Sequence, residues 1–171
     1  MCEDKNKKVK SGTDIIRLKK NKVSIALINA VRSITLKRYT GHKKERLCED
    51  KPIDNDFEIY VLLLCSKMLK EYYLGRYKTT IDEDGELLKK RGISTHLKFA
   101  LIHRLEAKRI ILHNIKYLNL LLHIINKATT KDTFKKTYME QVNSLETASE
   151  YNSNRRAIRE YLKKYYYYMN K

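Results

Sequence analysis

The chain has 171 residues, enough for one domain with a real core and too few to expect two, and its 42% apolar content excludes a disordered polymer. Five Gly and one Pro are too few for the tight turns of an all-β fold, while abundant Lys, Leu, Ile and Glu favour helix. The 37 Lys and Arg against 20 Asp and Glu leave a formal net charge of +17. That excess suits an anionic partner or plain compositional drift, and because the basic residues are spread along the chain, charge alone assigns no function.

Residues 1–12, MCEDKNKKVKSG, read as a disordered leader; they lack the apolar stretch of a signal peptide and carry acids that a transit peptide avoids. A first helix is expected over about 22–39, with Val23, Leu27, Ala30, Val31 and Ile34 on one stripe. A charged connection follows at 40–52, bounded by Gly41 and Pro52. Asp54 or Asn55 then caps a second helix that runs to about Leu74 and ends at Gly75. Its expected buried stripe is Phe57, Val61, Leu64, Cys65, Met68 and Tyr72. Cys65 lies inside that stripe and so reads as a small buried hydrophobe rather than a nucleophile.

The stretch 77–115 is the densest in local signals. Thr80 followed by Glu83 is a capping-box pattern, and Asp82, Glu83 and Asp84 occupy the first turn, where the helix dipole favours anions. Lys89, Lys90 and Arg91 fit the last turn of this short helix, and Gly92 stops it. Ser94 caps a long helix over about 95–127. Its predicted stripe is Leu97, Leu101, Leu105, Leu112, Ile115, Leu118, Leu122 and Ile125. Lys108 interrupts that stripe, where a lysine can lay its stem on the core and carry its charge to the edge. Arg104 is one turn earlier, and either cation can reach the acidic turn at 82–84 and lock the short helix to the long one. A further helix is expected over 132–150 with Phe134, Tyr138, Val142 and Leu145 inward. After a break at 149–154, Ser153 or Asn154 caps a last helix over 155–169 that turns Ile158, Tyr161, Leu162 and Tyr165 inward.

The same stretch carries a family pattern. Y-x-T-T-x-x-x-D (Tyr77, Thr79, Thr80, Asp84), the pair Leu87 and Leu88, and A-x-x-x-R-x-x-x-K-R (Ala100, Arg104, Lys108, Arg109) follow one another in order and spacing. They resemble the C-terminal substrate-binding domain of the Rubisco large-subunit lysine methyltransferase family. Upstream, ALINAVRSI resembles the L-L-x-x-L-R segment that begins that domain and places Arg32 on its arginine position. Ala107 departs from the pattern, since the family usually has Glu there, so an acidic contact at that position does not carry over.

The resemblance implies an all-α fold, a multi-helix orthogonal array about the long helix, with the family-like domain over 13–130 and a helical extension over 131–171. It implies a non-catalytic lobe that holds a lysine-bearing protein beside a SET domain supplied in cis or in trans. It further implies that Arg32, Tyr77, Thr79, Thr80, Asp84, Arg104 and Lys108 are architectural. S-adenosylmethionine would bind that SET domain and not this chain, which has no N-H-S-like segment and no β-rich region. The chain then reads as part of a longer methyltransferase or as a relative without SET.

Other chemistry is sought without result. His96, His103, His113 and His123 make no i,i+4 pair, so no helical metal site is expected, and no phosphate loop or G-x-S-x-G elbow occurs. The acids at 82–86 are explained by capping and suggest no catalytic pair. Cys2, Cys48 and Cys65 form neither a disulfide framework nor a C-x-x-C pair, which points to a reducing, intracellular compartment, cytoplasmic or nuclear. The most apolar run, 110–125, is too short and too polar to cross a bilayer. The alternative reading is a basic helical module binding nucleic acid, in which the tail RRAIREYLKKYYYYMNK neutralises phosphates and stacks on bases.

Overall fold

The structure, a computed structural model, describes residues 16, 18–19, 24–39, 55–127, 133, 136–137 and 148–169. The fold is all-α. In chain order the elements are α1 (Ile25–Tyr39), α2 (Asn55–Met68), α3 (Ile81–Lys89), α4 (Thr95–Lys127) and α5 (Ala148–Met169). The expected leader at 1–12 and the connection at 40–52 lie outside the described residues. So do Phe134, Tyr138, Val142 and Leu145 of the helix expected over 132–150, although Thr133, Lys136 and Thr137 are helical.

Local capping sets most helix starts. Ser24 Oγ accepts from the Leu27 amide at 3.3 Å and begins α1, a cap not foreseen in the sequence. Ser94 Oγ accepts from the Leu97 amide at 3.3 Å and begins α4, as expected. The capping box of α3 forms in full: Thr80 Oγ1 accepts from the Glu83 amide at 3.1 Å, and the Thr80 amide donates to Glu83 Oε2 at 2.7 Å.

Three helix ends differ from expectation. α2 does not stop at Gly75; it loosens into a π turn (Leu69–Tyr73) and then tightens into a 3-10 turn (Leu74–Arg76). Gly75 has no positive φ, and a side chain there would sit 3.3 Å from the Lys70 carbonyl oxygen, so the glycine serves close packing of that turn. α3 ends at Lys89, short of Arg91, and Gly92 takes φ 82° in the turn beyond it. α5 starts at Ala148, so 149–154 is helical rather than a break; its polar residues are compatible with helix even though they resemble a turn.

One core unites α1, α2, α4 and α5. It holds Leu27, Ile28 and Val31 of α1, Phe57, Val61, Leu62 and Cys65 of α2, and Ile115, Leu118, Leu121 and Ile125 of α4. From α5 come Ile158, Tyr161, Leu162 and Tyr165. Each fully buried aliphatic chain contributes about 1.5–3 kcal/mol of transfer free energy, so these contacts dominate the fold's stability. The short α3 packs against α4 instead. Ile34, Tyr72, Leu97 and Leu112, all expected inside, are exposed. In α4 the inward positions are taken by Lys108, Ile111, Asn114 and Ile115, a slight rotation of the buried face that turns Leu112 outward. Leu97 belongs to the first turn of α4, where Ser94, Thr95, His96 and Lys98 are exposed as well. Tyr72 is carried outward by the π turn.

Candidate functional site

Two groups of buried charge organise the molecule. The first sits where α3 meets α4. The capping box holds the start of α3 so that Asp84, one turn in, faces α4. Arg104 and Lys108 lie one turn apart on α4 and both reach it. Arg104 Nε donates to Asp84 Oδ2 at 2.9 Å, and its Nη2 donates to Oδ1, a bidentate pair. Lys108 Nζ donates to Asp84 Oδ2 at 2.6 Å, to Thr79 Oγ1 at 3.0 Å, to the Thr80 carbonyl oxygen at 3.1 Å and to the Thr79 carbonyl oxygen. Thr79 Oγ1 in turn donates to Asp84 Oδ1 at 2.7 Å. Tyr77 closes the set with its ring 5.1 Å from the ammonium nitrogen.

Lys108 is 1% exposed and Asp84 fully covered, whereas Arg104 is 36% exposed. Lys108 therefore does not carry its charge to the edge as its sequence position suggested. It is enclosed, because three oxygens of the 79–80 turn and a carboxylate replace the water it gives up. Burial by itself would raise the Asp84 carboxyl, but hydrogen bonds from Arg104, Lys108 and Thr79 outweigh it and hold the group well below the usual carboxylate range.

The second group ties α1, α2 and α5. Arg32 Nε and Nη2 donate to Glu58 Oε1 and Oε2 at 2.9 and 2.7 Å, and Nη1 donates to Asn29 Oδ1 at 2.8 Å. Tyr161 of α5 donates its hydroxyl to Glu58 Oε2 at 3.0 Å. Nearby, Tyr165 donates to Asn55 Oδ1, so the side chain of Asn55 meets α5. Burial alone would lower the Arg32 guanidinium, but the Glu58 carboxylate wins and raises it. The Tyr161 hydroxyl is raised well above its ordinary value by burial and by the charge of Glu58. Burial also pushes the Cys65 thiol up to about 12, which agrees with an inert core residue.

The model of the family described as Rubisco LSMT substrate-binding matches residues 3–111. The chain belongs to that family. No curated protein and no solved structure matches it. All seven residues selected from the sequence fall inside the span of this Rubisco LSMT substrate-binding domain. Tyr77, Thr79, Thr80, Asp84, Arg104 and Lys108 converge on one corner, while Arg32 belongs to the other group.

Sequence reasoning missed Glu58 and Tyr161 as partners of Arg32. A signal for Glu58 was available: it precedes Leu62, Cys65 and Leu69 by four, seven and eleven residues, the spacing of α2's own buried face. Tyr161 was assigned to the core of α5 correctly, without its hydroxyl's destination. Glu58 and Asp84, the two buried carboxylates among the described residues, are saturated by cations and hydroxyls, so neither group resembles an acid–base pair poised for catalysis. Among the described residues no three His, Cys, Asp or Glu gather as a metal would need, and no helix is long and apolar enough to cross a membrane. The family match gives the nucleic-acid reading no support; of the tail's tyrosines, Tyr161 and Tyr165 are core residues and Tyr167 is exposed.

Proposed function

We propose that this domain is the protein-recognition lobe of a SET-type protein-lysine methyltransferase. It holds a lysine-bearing protein for a SET domain supplied in cis or in trans, and makes or breaks no bond itself. The family match over 3–111 is the observation that carries this reading. The geometry supports it: the motif side chains are consumed in fixing α3 to α4 and α1 to α2, which is what a rigid recognition surface requires and leaves none of them free for methyl transfer. S-adenosylmethionine is assigned to the SET domain on the same reading.

A chimera tests it. The native lobe of a family methyltransferase is replaced by this chain, and methyl transfer from S-adenosylmethionine is followed on the Rubisco large subunit and on a short lysine peptide. The expected result is a KM for the whole protein that differs from that of the SET domain alone, with kcat on the short peptide unchanged. A chimera indistinguishable from the bare SET domain, or methyl transfer by the purified chain unaided, overturns the proposal.

A further inference from the structure

The exposed charge of the described surface is lopsided. Glu71, Glu86, Glu106 and Glu160 each meet a cation three or four residues away, and Glu58 and Asp84 are spent on buried pairs. That leaves Asp56, Asp82 and Glu83 as exposed acids with no ion pair among the described residues, against a larger number of exposed cations. Lys90 and Arg91 in the α3–α4 turn, and Lys98 in the first turn of α4, are exposed and meet no carboxylate among the described residues. Beside them α4 exposes Phe99 and Ile102, 60% and 44% open to solvent and one helical turn apart. By helical spacing Phe99 sits on the side turned away from Leu101, Leu105 and Lys108, with exposed His96 and His103 alongside, and Ile102 lies on the flank between Phe99 and Leu105. One exposed apolar side chain is ordinary. An aromatic and an aliphatic one turn apart, bordered by uncompensated cations, have the make-up of an interface centre with a charged rim.

We propose that this face, the α3–α4 turn with the outer side of the first turns of α4, docks an acidic amphipathic helix of the protein substrate. The inference rests on the reading of the domain as a protein-recognition lobe and names the kind of protein it selects. Lys90, Arg91 and Lys98 complement Asp and Glu on the partner, and Phe99 and Ile102 receive a Leu or Phe pair at helical spacing. A second copy of the chain is the wrong partner, since each copy carries +17. A nucleic acid would use the cations and stack on Phe99 but has no use for the aliphatic Ile102, and the oligonucleotide control below separates the two.

Fluorescence anisotropy at about 150 mM salt tests it with a labelled synthetic helix that carries Glu on one face and a Leu–Phe pair on the other. Controls are the same helix with Lys for Glu, the same helix with Gln for Leu and Phe, and a random single-stranded oligonucleotide. The acidic apolar helix is expected to bind, and each control to bind at least about tenfold more weakly. Phe99→Ser with Ile102→Ser, and Lys90→Glu with Lys98→Glu, are each expected to weaken it at least about tenfold with the melting temperature unchanged. Binding that survives the loss of Phe99 and Ile102, or an oligonucleotide that binds as tightly and displaces the helix, overturns the proposal. If the chimera works and the helix does not bind, the docking face is wrong and the lobe's role stands; the converse pair of results removes the role.

Discussion

Replacing Asp84 by Asn tests whether the α3–α4 corner is held by charge. Asn keeps the shape but removes the countercharge of an ammonium that is 1% exposed, and its amide can accept from only one side of a site ringed by donors. Breaking a buried pair by deleting one partner costs about 3–5 kcal/mol. Arg104 is 36% exposed, so water relieves part of the loss there and favours the low end, about 3 kcal/mol. For a chain of this length that is a fall in Tm of about 6–12 °C, read by far-UV circular dichroism. Lys108→Met then separates charge from packing. In the double variant the stranded ammonium is gone, so the combined loss should fall short of the sum of the single losses by at least about 1 kcal/mol. An Asp84→Asn protein that melts within about 1 °C of the parent, or strict additivity in the pair, would refute the account.

Acid titration of the same variant gives a second prediction. The folded Asp84 carboxyl is depressed, so its stabilisation is complete above the unfolded value of about 3.9 and disappears as pH falls from there through the lower folded value. The parent should therefore lose stability below about pH 4 more steeply than Asp84→Asn; parallel profiles would contradict the pairing. Glu58→Gln strands Arg32, which is 2% exposed, and should cost about 3–5 kcal/mol, with part recovered by Arg32→Met in the same chain; denaturant melts decide it. Tyr161→Phe should cost about 1 kcal/mol. Because the folded Tyr161 hydroxyl is raised, its share of stability is present below the unfolded value of about 10 and lost as pH rises through the folded one. The Phe variant should show a shallower alkaline decline. Iodoacetamide mapping should find Cys65 unmodified in native protein and alkylated in denaturant; rapid native labelling would place the thiol outside the core.

The amino-acid sequence by itself determined the features whose partners lie within a turn of helix. The Thr80–Glu83 box, the Ser94 cap and the helical class each depend on contacts between residues three or four apart, and such contacts are written in local order. The pairing of Asp84 with Arg104 and Lys108 was legible for a related reason: α3 and α4 are joined by so short a turn that an acidic start and a basic stretch must meet. Only the tertiary structure decided that Arg32 finds Glu58 across 26 residues and that Tyr161 reaches the same carboxylate across 103. It also decided that Lys108 is enclosed, that Leu112 faces water and that α5 shares the core of α1, α2 and α4. The physical reason is that helical periodicity fixes the angular spacing of side chains but not the helix's rotation against its neighbours. A charge enters a core only where the far partner that replaces its water is already in place.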